Sequence, residues 1–296
     1  MKSFLQFSSL AVLLGLTSFV EAQQARPKLP DGTKVHRDLE YVQDAHERQR
    51  LDLYLPEKAD GPLPVIVWVH GGGWLAGSKD GGGPALPFVS KGYAVAAINY
   101  RLSQHAPFPA QIEDCKAAIR WLRAHAKEYN LAADRIGVWG ASAGGHLVAL
   151  LGTSGEVKDL EGKQGNLDQS SRVQAVVDWF GPTDLTKMGG SHDQPSSPEA
   201  RLLGGPVQEN KDKAKRASPI TYVAKDNPPF LILHGDKDPT VPFSQSALLA
   251  EALKKAGVEV TLQPVKGAGH GGREFSSAEN LKLIEEFLDR HLKQSR

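Results

Sequence analysis

Short apolar runs that alternate with amphipathic helical patterns leave few folds open to this chain of 296 residues. The later runs are rich in Val, Ile and Ala, as expected of strands that are buried on both faces of a sheet. The predicted strands cover residues 35–42, 50–55, 65–69, 94–98, 136–139, 173–180, 230–233 and 258–265. Helical patterns occupy residues 109–129, 142–151, 244–256 and 276–292. This order predicts βαβ units in an α/β protein with an open, mostly parallel eight-stranded sheet and helices on both faces.

Composition and charge exclude several classes of protein. The chain has 40% hydrophobic and 23% charged residues, which is ordinary for a globular protein and excludes a disordered or collagen-like chain. The 35 basic residues against 34 acidic ones produce no extended field, so we expect no nucleic-acid partner and no stable membrane association of the processed chain. Cys115, the one cysteine, cannot form an internal disulfide, and we expect a buried, inert thiol.

The first 22 residues have the pattern of a secretory signal peptide, with Lys2 before an apolar run and cleavage expected after Ala22. The run is short for a membrane anchor and contains polar residues. We therefore expect a secreted or periplasmic protein. Residues 23–34 are predicted to form a flexible leader, and residues 35–296 a single domain. Residues 182–226, rich in Gly, Pro, Ser and Lys, are predicted to form a small excursion after the sixth strand.

A serine lies between a predicted strand and a predicted helix, in the sequence Gly140-Ala141-Ser142-Ala143-Gly144. In a nucleophile elbow, small residues let the backbone turn sharply so that the serine hydroxyl is exposed at the start of a helix. The five-residue pattern is weak by itself, and the flanking strand and helix make it specific. Ser142 is therefore the candidate nucleophile.

The sequence from His70 to Trp74 reads His-Gly-Gly-Gly-Trp and follows the third predicted strand. A phosphate-binding loop is disfavoured because neither Gly-Lys-Ser/Thr nor a GxGxxG pattern is present. Glycines at this place let backbone N–H groups stabilise a negative oxygen, as in the oxyanion loop of an α/β-hydrolase. We expect His70 to order the loop rather than to act as a base.

A serine nucleophile needs a base and an acid that orients the base. His270, flanked by glycines after the last predicted strand, is the candidate base. Asp236 and Asp238 share the loop after the seventh strand, and Asp184 follows the sixth. Asp238 is favoured, Asp236 is expected to brace the turn, and all three remain candidates for the acid from these residues alone.

The motifs HGGGW, GASAGG, HGDKDPTVP and GAGHG, in this order, resemble those of α/β-hydrolase serine esterases, and most closely the bifunctional feruloyl and acetyl-xylan esterase branch. The segments NYRL, APFPA and WLR also look like that branch. The resemblance implies the α/β-hydrolase fold and ester hydrolysis with neither a metal nor an organic cofactor. By matched position it implies the following roles: nucleophile Ser142, base His270, acid Asp238, and oxyanion donors from the N–H groups of Gly72, Gly73 and Ala143.

The function expected from this resemblance is that of a secreted serine carboxylesterase acting on short-chain or aromatic esters. The expected substrates are small-molecule or carbohydrate esters, in particular acetyl or feruloyl esters of plant cell-wall polysaccharide. Trp74 is the candidate for contact with the acyl group, whereas Trp179 and Phe180 are either a further aromatic wall or core residues. The alternatives are a serine peptidase of the prolyl-oligopeptidase type, although we expect no propeller domain here, and a non-catalytic hydrolase-fold binding protein.

Overall fold

The computed structural model describes residues 28–155 and 157–293, which build an eight-stranded sheet. The strands are β1 Thr33–Glu40, β2 Arg50–Pro56, β3 Leu63–Val69, β4 Ala94–Ile98, β5 Leu131–Ala141, β6 Ala175–Trp179, β7 Phe230–Gly235 and β8 Val260–Val265. Each predicted strand is present. The predicted signal peptide, residues 1–22, lies outside the described residues.

The order of strands in the sheet is β1-β2-β4-β3-β5-β6-β7-β8. β2 pairs antiparallel with β1 and with β4, and all other neighbours are parallel. The predicted mostly parallel α/β-hydrolase sheet is therefore confirmed. One boundary differs, because Thr33 and Lys34 of the predicted leader already pair with Pro56 and Leu55 of β2. Backbone hydrogen bonding across the sheet orders these two residues.

Six α-helices surround the sheet in the described part of the chain: α1 Ala110–Ala124, α2 Ala143–Thr153, α3 Pro198–Leu203, α4 Lys211–Ala217, α5 Ser244–Lys255 and α6 Ala278–Leu292. The four predicted helices correspond to α1, α2, α5 and α6. A 3₁₀ segment, Gly83–Lys91, connects β3 to β4 and was not predicted. None of the described helices has the length and apolar character needed to cross a bilayer.

Apolar side chains cover both faces of the sheet, which is why the central strands are apolar without alternation. Every residue of β3, β4 and β6 is buried. The predicted excursion follows β6 and contains α3 and α4. Its side chains Leu202, Val207 and Ala217 are buried in the same core cluster as α1 and α2, so the excursion packs on the main domain.

The carboxyl ends of parallel strands meet at one edge of an α/β sheet, where ligands bind. The loops after β3, β5, β7 and β8 therefore converge there. Those loops carry His70, Ser142, Asp238 and His270.

Candidate active site

Ser142 lies on a tight turn between β5 and α2. Its φ of 56° and ψ of −120° belong to a region that L residues rarely adopt, so the surroundings must hold the turn. Glycines make the close approach possible. A Cβ on Gly144 would lie 2.1 Å from the carbonyl oxygen of Val69, and one on Gly140 would lie 2.3 Å from the carbonyl oxygen of Gly144. Ser142 stays partly exposed at the start of α2, which is the geometry of a nucleophile elbow.

The side chains of Ser142, His270 and Asp238 form one chain of hydrogen bonds. Nδ1 of His270 lies 2.7 Å from Oδ2 of Asp238, and Nε2 of His270 lies 2.9 Å from Oγ of Ser142. A carboxylate only accepts hydrogen bonds, so Nδ1 carries the hydrogen and Nε2 of the neutral ring accepts the bond from the Ser142 hydroxyl. The Asp238 side chain is fully buried while that of His270 is 21% exposed, so of this pair only the histidine is open to solvent.

The carboxylate of Asp238 is held on both oxygens. Oδ1 accepts the backbone N–H groups of Thr240 at 2.7 Å and Val241 at 2.9 Å. Oδ2 accepts from His270 and also lies 3.3 Å from Nε2 of His234. Burial alone would raise the pKa of Asp238, but the bonds from His234, His270 and the two backbone N–H groups outweigh it and hold the pKa well below its usual range. Asp238 therefore stays ionised beside His270.

His234 was missed in the sequence analysis, although it begins the HGD motif. Its ring is fully buried, with Nε2 2.9 Å from the carbonyl oxygen of Val241 and Nδ1 2.6 Å from Oγ of Ser246. Both neighbours of Nε2 are acceptors, so Nε2 carries the hydrogen and Ser246 donates to Nδ1. His234 thus restrains Asp238 at Oδ2, the same oxygen that accepts from His270.

The other two candidate acids make different contacts. Oδ1 of Asp236 accepts the backbone N–H of Gly267 at 2.7 Å, so Asp236 braces the neighbouring turn. Asp184 caps a 3₁₀ turn by accepting bonds from the N–H and hydroxyl of Thr186, and it pairs with Lys187 at 3.1 Å. Of the three candidates, the structure brings Asp238 to His270.

The glycine loop after β3 lies against the elbow, because a Cβ on Gly71 would be 3.3 Å from Cβ of Ser142. Gly72 and Gly73 have φ values of 103° and 60°, which glycine adopts without strain. Within the described ranges, neither N–H of these two residues has an acceptor. Ala143 is the first residue of α2, so its N–H has no partner within the helix. Three unpaired N–H groups are thus available from the residues predicted as oxyanion donors.

His70 orders the glycine loop, as expected. Its ring stacks on Tyr100 with centroids 4.4 Å apart. Nε2 accepts from the Arg48 guanidinium at 3.0 Å, so Nδ1 carries the hydrogen and donates to the carbonyl oxygen of Gly71 at 2.7 Å. Burial lowers the pKa of His70 to about 4, although the bond to Gly71 opposes this shift. The ring is therefore neutral near pH 7.

Trp74, the residue predicted to contact the acyl group, is 2% exposed. Its indole N–H donates to Nδ1 of His146 at 3.2 Å. The predicted contact between Trp74 and the acyl group is therefore wrong. The ring is packed in the hydrophobic core and has no exposed face for a substrate. Trp179 and Phe180 are each 5% exposed, and the Phe180 ring lies 4.7 Å from that of His270. Phe180 is thus the aromatic side chain next to the base.

One group of side chains in the described part of the chain has the composition of a metal site. His46, Glu47 and His105 bring ligand atoms within 4.8 Å of one another. However, Nδ1 of His46 accepts the backbone N–H of Arg48, and Nδ1 of His105 accepts that of Leu102. Each neutral ring then carries its hydrogen on Nε2, which has no lone pair for a metal. These residues do not fit a metal ion.

The family model described as BD-FAE matches residues 51–253 of the chain, a segment that includes Ser142 and Asp238. Esterase LipQ of Mycobacterium tuberculosis is 33% identical over 238 residues, which are 78% of this chain and 55% of that protein. The chain spans about half the length of the curated relatives it matches.

Two solved structures are similar over most of their length. A truncated carbohydrate esterase from gut microbiota has a TM-score of 0.85 and 37% identity, over 90% of this chain and 99% of that one. The butyrate-bound esterase Est2 of Thermogutta terrifontis has a TM-score of 0.71 and 30% identity, over 90% and 97%. These matches confirm the α/β-hydrolase fold and the resemblance to esterases that the motifs indicated. The chain belongs to the BD-FAE family.

Proposed function

We propose that this protein hydrolyses carboxylic esters through an acyl-enzyme on Ser142. The observation that carries the proposal is the unbroken line of hydrogen bonds from the Ser142 hydroxyl through His270 to a buried, ionised Asp238. A nucleophile, its base and an orienting acid are the groups that acyl transfer requires. The esterase names of relatives and structural neighbours support the same reaction.

The first half of the reaction forms the acyl-enzyme. Oγ of Ser142 attacks the ester carbonyl carbon while Nε2 of His270 takes the hydroxyl proton. The carbonyl oxygen becomes negative and is stabilised by the N–H groups of Gly72, Gly73 and Ala143, which have no competing acceptor among the described residues. The tetrahedral intermediate then collapses, the bond to the alcohol oxygen breaks, and His270 donates its proton to that oxygen.

The second half regenerates the enzyme. His270 takes a proton from a water molecule, whose oxygen attacks the acyl carbon. The bond to Ser142 breaks, the proton on Nε2 returns to Oγ, and the carboxylic acid leaves. Asp238 stays ionised throughout and stabilises the imidazolium in both halves.

The proposed substrates carry short or aromatic acyl groups on a soluble or carbohydrate alcohol. A lipase lid presents an apolar face to a lipid surface, whereas residues 191–197 of the excursion are polar apart from Pro195. Within the described ranges, the one large apolar side chain that is exposed is Leu167, which precedes the excursion. The names of the carbohydrate esterase and of butyrate-bound Est2 agree with such substrates.

A panel of esters with one alcohol and different acyl groups tests the reaction and the substrate class together. We expect kcat/KM to fall steeply from acetyl or butyryl to palmitoyl esters, with no activation by lipid surfaces and with feruloyl esters accepted. Ser142→Ala serves as the background control. A preference for palmitoyl would contradict the substrate class, and activity retained by Ser142→Ala would contradict the mechanism.

We further propose that the protein is exported, on the pattern of residues 1–22. Expression in the native host followed by N-terminal sequencing tests this. A mature chain that begins at Gln23 is expected, and a chain that keeps its first 22 residues would contradict export by cleavage.

A further inference from the structure

His146 is a buried residue for which the proposed reaction has no role. It lies on α2, and its backbone N–H donates to the carbonyl oxygen of Ser142 at 2.9 Å. Its ring is fully buried and makes two hydrogen bonds. Nδ1 lies 3.2 Å from Nε1 of Trp74, and Nε2 lies 2.6 Å from the carbonyl oxygen of Ala217. One side chain therefore contacts the glycine loop and the excursion from the helix that carries the nucleophile.

The chemistry of both partners determines the protonation of this ring. An indole nitrogen only donates, so Nδ1 of His146 is unprotonated, and a carbonyl oxygen only accepts, so Nε2 carries the hydrogen. Burial lowers the pKa of His146 to about 4, although the bond to the Ala217 carbonyl opposes this shift. The ring is therefore neutral near pH 7, and both hydrogen bonds are fully formed.

Trp74 needs this bond because its backbone is strained. Its φ is 58°, a left-handed conformation that is strained for a non-glycine residue and persists only where the surrounding structure holds it. Two hydrogen bonds help to hold Trp74 in this conformation. Its carbonyl oxygen accepts the N–H of Ser103 at 2.8 Å, and its indole N–H donates to His146. Trp74 directly follows Gly73, so an anchored Trp74 also restrains the glycine loop that carries the two N–H groups.

We propose that His146 is the positioning residue of the oxyanion site. The site has two halves, the N–H groups of Gly72 and Gly73 on the loop and that of Ala143 on α2. His146 joins the halves, because its backbone belongs to α2 and its imidazole holds Trp74 of the loop. The inference rests on the proposed ester hydrolysis, in which those N–H groups bind the developing negative oxygen.

Substitution of His146 separates this role from simple space filling. Oxyanion donors act mainly in the transition state, so His146→Leu should lower kcat about 10- to 100-fold and leave KM within about twofold. His146→Gln should recover most of the loss, because a planar amide also carries an acceptor and a donor. His36→Leu, at a histidine that packs on Tyr129 away from the site, is the matched control. Retention of kcat by His146→Leu, or equal losses in the Leu and Gln variants, would overturn the proposal.

Trp74→Phe tests the bond even where His146→Leu does not fold. It keeps a ring and removes the one N–H that donates to His146. We expect kcat to fall by a similar factor for acetyl and feruloyl esters, since the defect lies in the oxyanion site. Trp121→Phe, at a buried tryptophan stacked on His125, is the control and should keep kcat. An unchanged kcat in Trp74→Phe, or a loss confined to feruloyl esters, would overturn the proposal.

Hydrogen exchange separates failure of this inference from failure of the proposed function. The NMR signal of the Trp74 indole hydrogen is assigned by its loss in Trp74→Phe. We expect slow exchange in the wild type and in His146→Gln, and fast exchange in His146→Leu. Fast exchange in the wild type would overturn the proposed role of the bond between Trp74 and His146, whatever the activity. A wild type that hydrolyses no ester but shows this exchange pattern would overturn the proposed function, and the restraint of Trp74 by His146 would stay supported.

Discussion

Replacement of Asp238 by Asn should remove the base function of His270 without unfolding the loop. One oxygen of Asp238 accepts the N–H groups of Thr240 and Val241, so Asn would keep its carbonyl oxygen there and place its amide nitrogen at the present site of Oδ2. That nitrogen would face Nδ1 of His270 across the present 2.7 Å contact and donate to it. Nε2 would then carry the hydrogen and be unable to accept the proton of Ser142.

In the serine-protease template this wrong tautomer costs about 10⁴ in kcat, equivalent to about 5 kcal/mol at 1.36 kcal/mol per tenfold change. We expect a loss of about 10³ to 10⁴ for Asp238→Asn, measured with p-nitrophenyl acetate and checked for folding by circular dichroism. Asp236→Asn is the matched control, because the new carbonyl oxygen can still accept the N–H of Gly267. Its kcat should stay within about threefold of wild type. A larger loss in Asp236→Asn than in Asp238→Asn would refute the assignment of the acid.

Three further predictions test the nucleophile, the elbow and a buried acid. Ser142→Ala should lose at least about 10³-fold in kcat while remaining folded, and mass spectrometry after organophosphorus treatment should place the adduct on Ser142 of the wild type; an adduct on another residue would contradict this. Gly144→Ala should lower the free energy of unfolding by about 1–3 kcal/mol in urea, because its Cβ would lie 2.1 Å from the Val69 carbonyl oxygen. Gly269→Ala, with its nearest neighbour at 3.8 Å, should change that free energy by less than about 0.5 kcal/mol, and equal effects would contradict the steric argument. Burial raises the pKa of Asp178 to about 6, so the wild type should lose stability as the pH rises from about 4 to about 6, where the unfolded carboxyl ionises and the buried one remains protonated. The free energy of unfolding of Asp178→Asn, measured in urea, should therefore rise by about 1–3 kcal/mol relative to that of the wild type across this pH range. A difference between the two proteins that does not vary with pH would contradict the prediction.

The strands, the main helices and the elbow were predictable because each depends on consecutive residues. A strand buried on both faces needs an apolar run, and a helix on the sheet needs apolar residues at helical spacing. The sequence Gly140 to Gly144 has the small residues that a sharp strand-to-helix turn demands. α3 and α4 were not predicted, because they have only six and seven residues and lie in a polar segment.

The sequence ranked the three candidate acids but did not decide among them. Asp236 and Asp238 are two residues apart on one loop. They therefore share nearly the same sequence neighbours, which cannot distinguish their roles. Their roles separate because the chain that packs opposite presents the N–H of Gly267 to one and the ring of His270 to the other. Those partners follow β8, about 30 residues further along the chain, so no local pattern contains the answer.

Trp74 and His146 show the same division. The local sequence places a tryptophan after the glycine loop, where contact with the acyl group was predicted, and a histidine one turn beyond the nucleophile, for which no role was predicted. Only the folded chain brings the indole and the carbonyl oxygen of Ala217 to the two ring nitrogens of His146. Hydrophobic periodicity and the residues of a turn are properties of neighbouring positions, so they can be predicted from the sequence. The burial of a loop side chain and its hydrogen-bond partner depend on distant segments that meet when the sheet assembles, so the tertiary structure alone decides them.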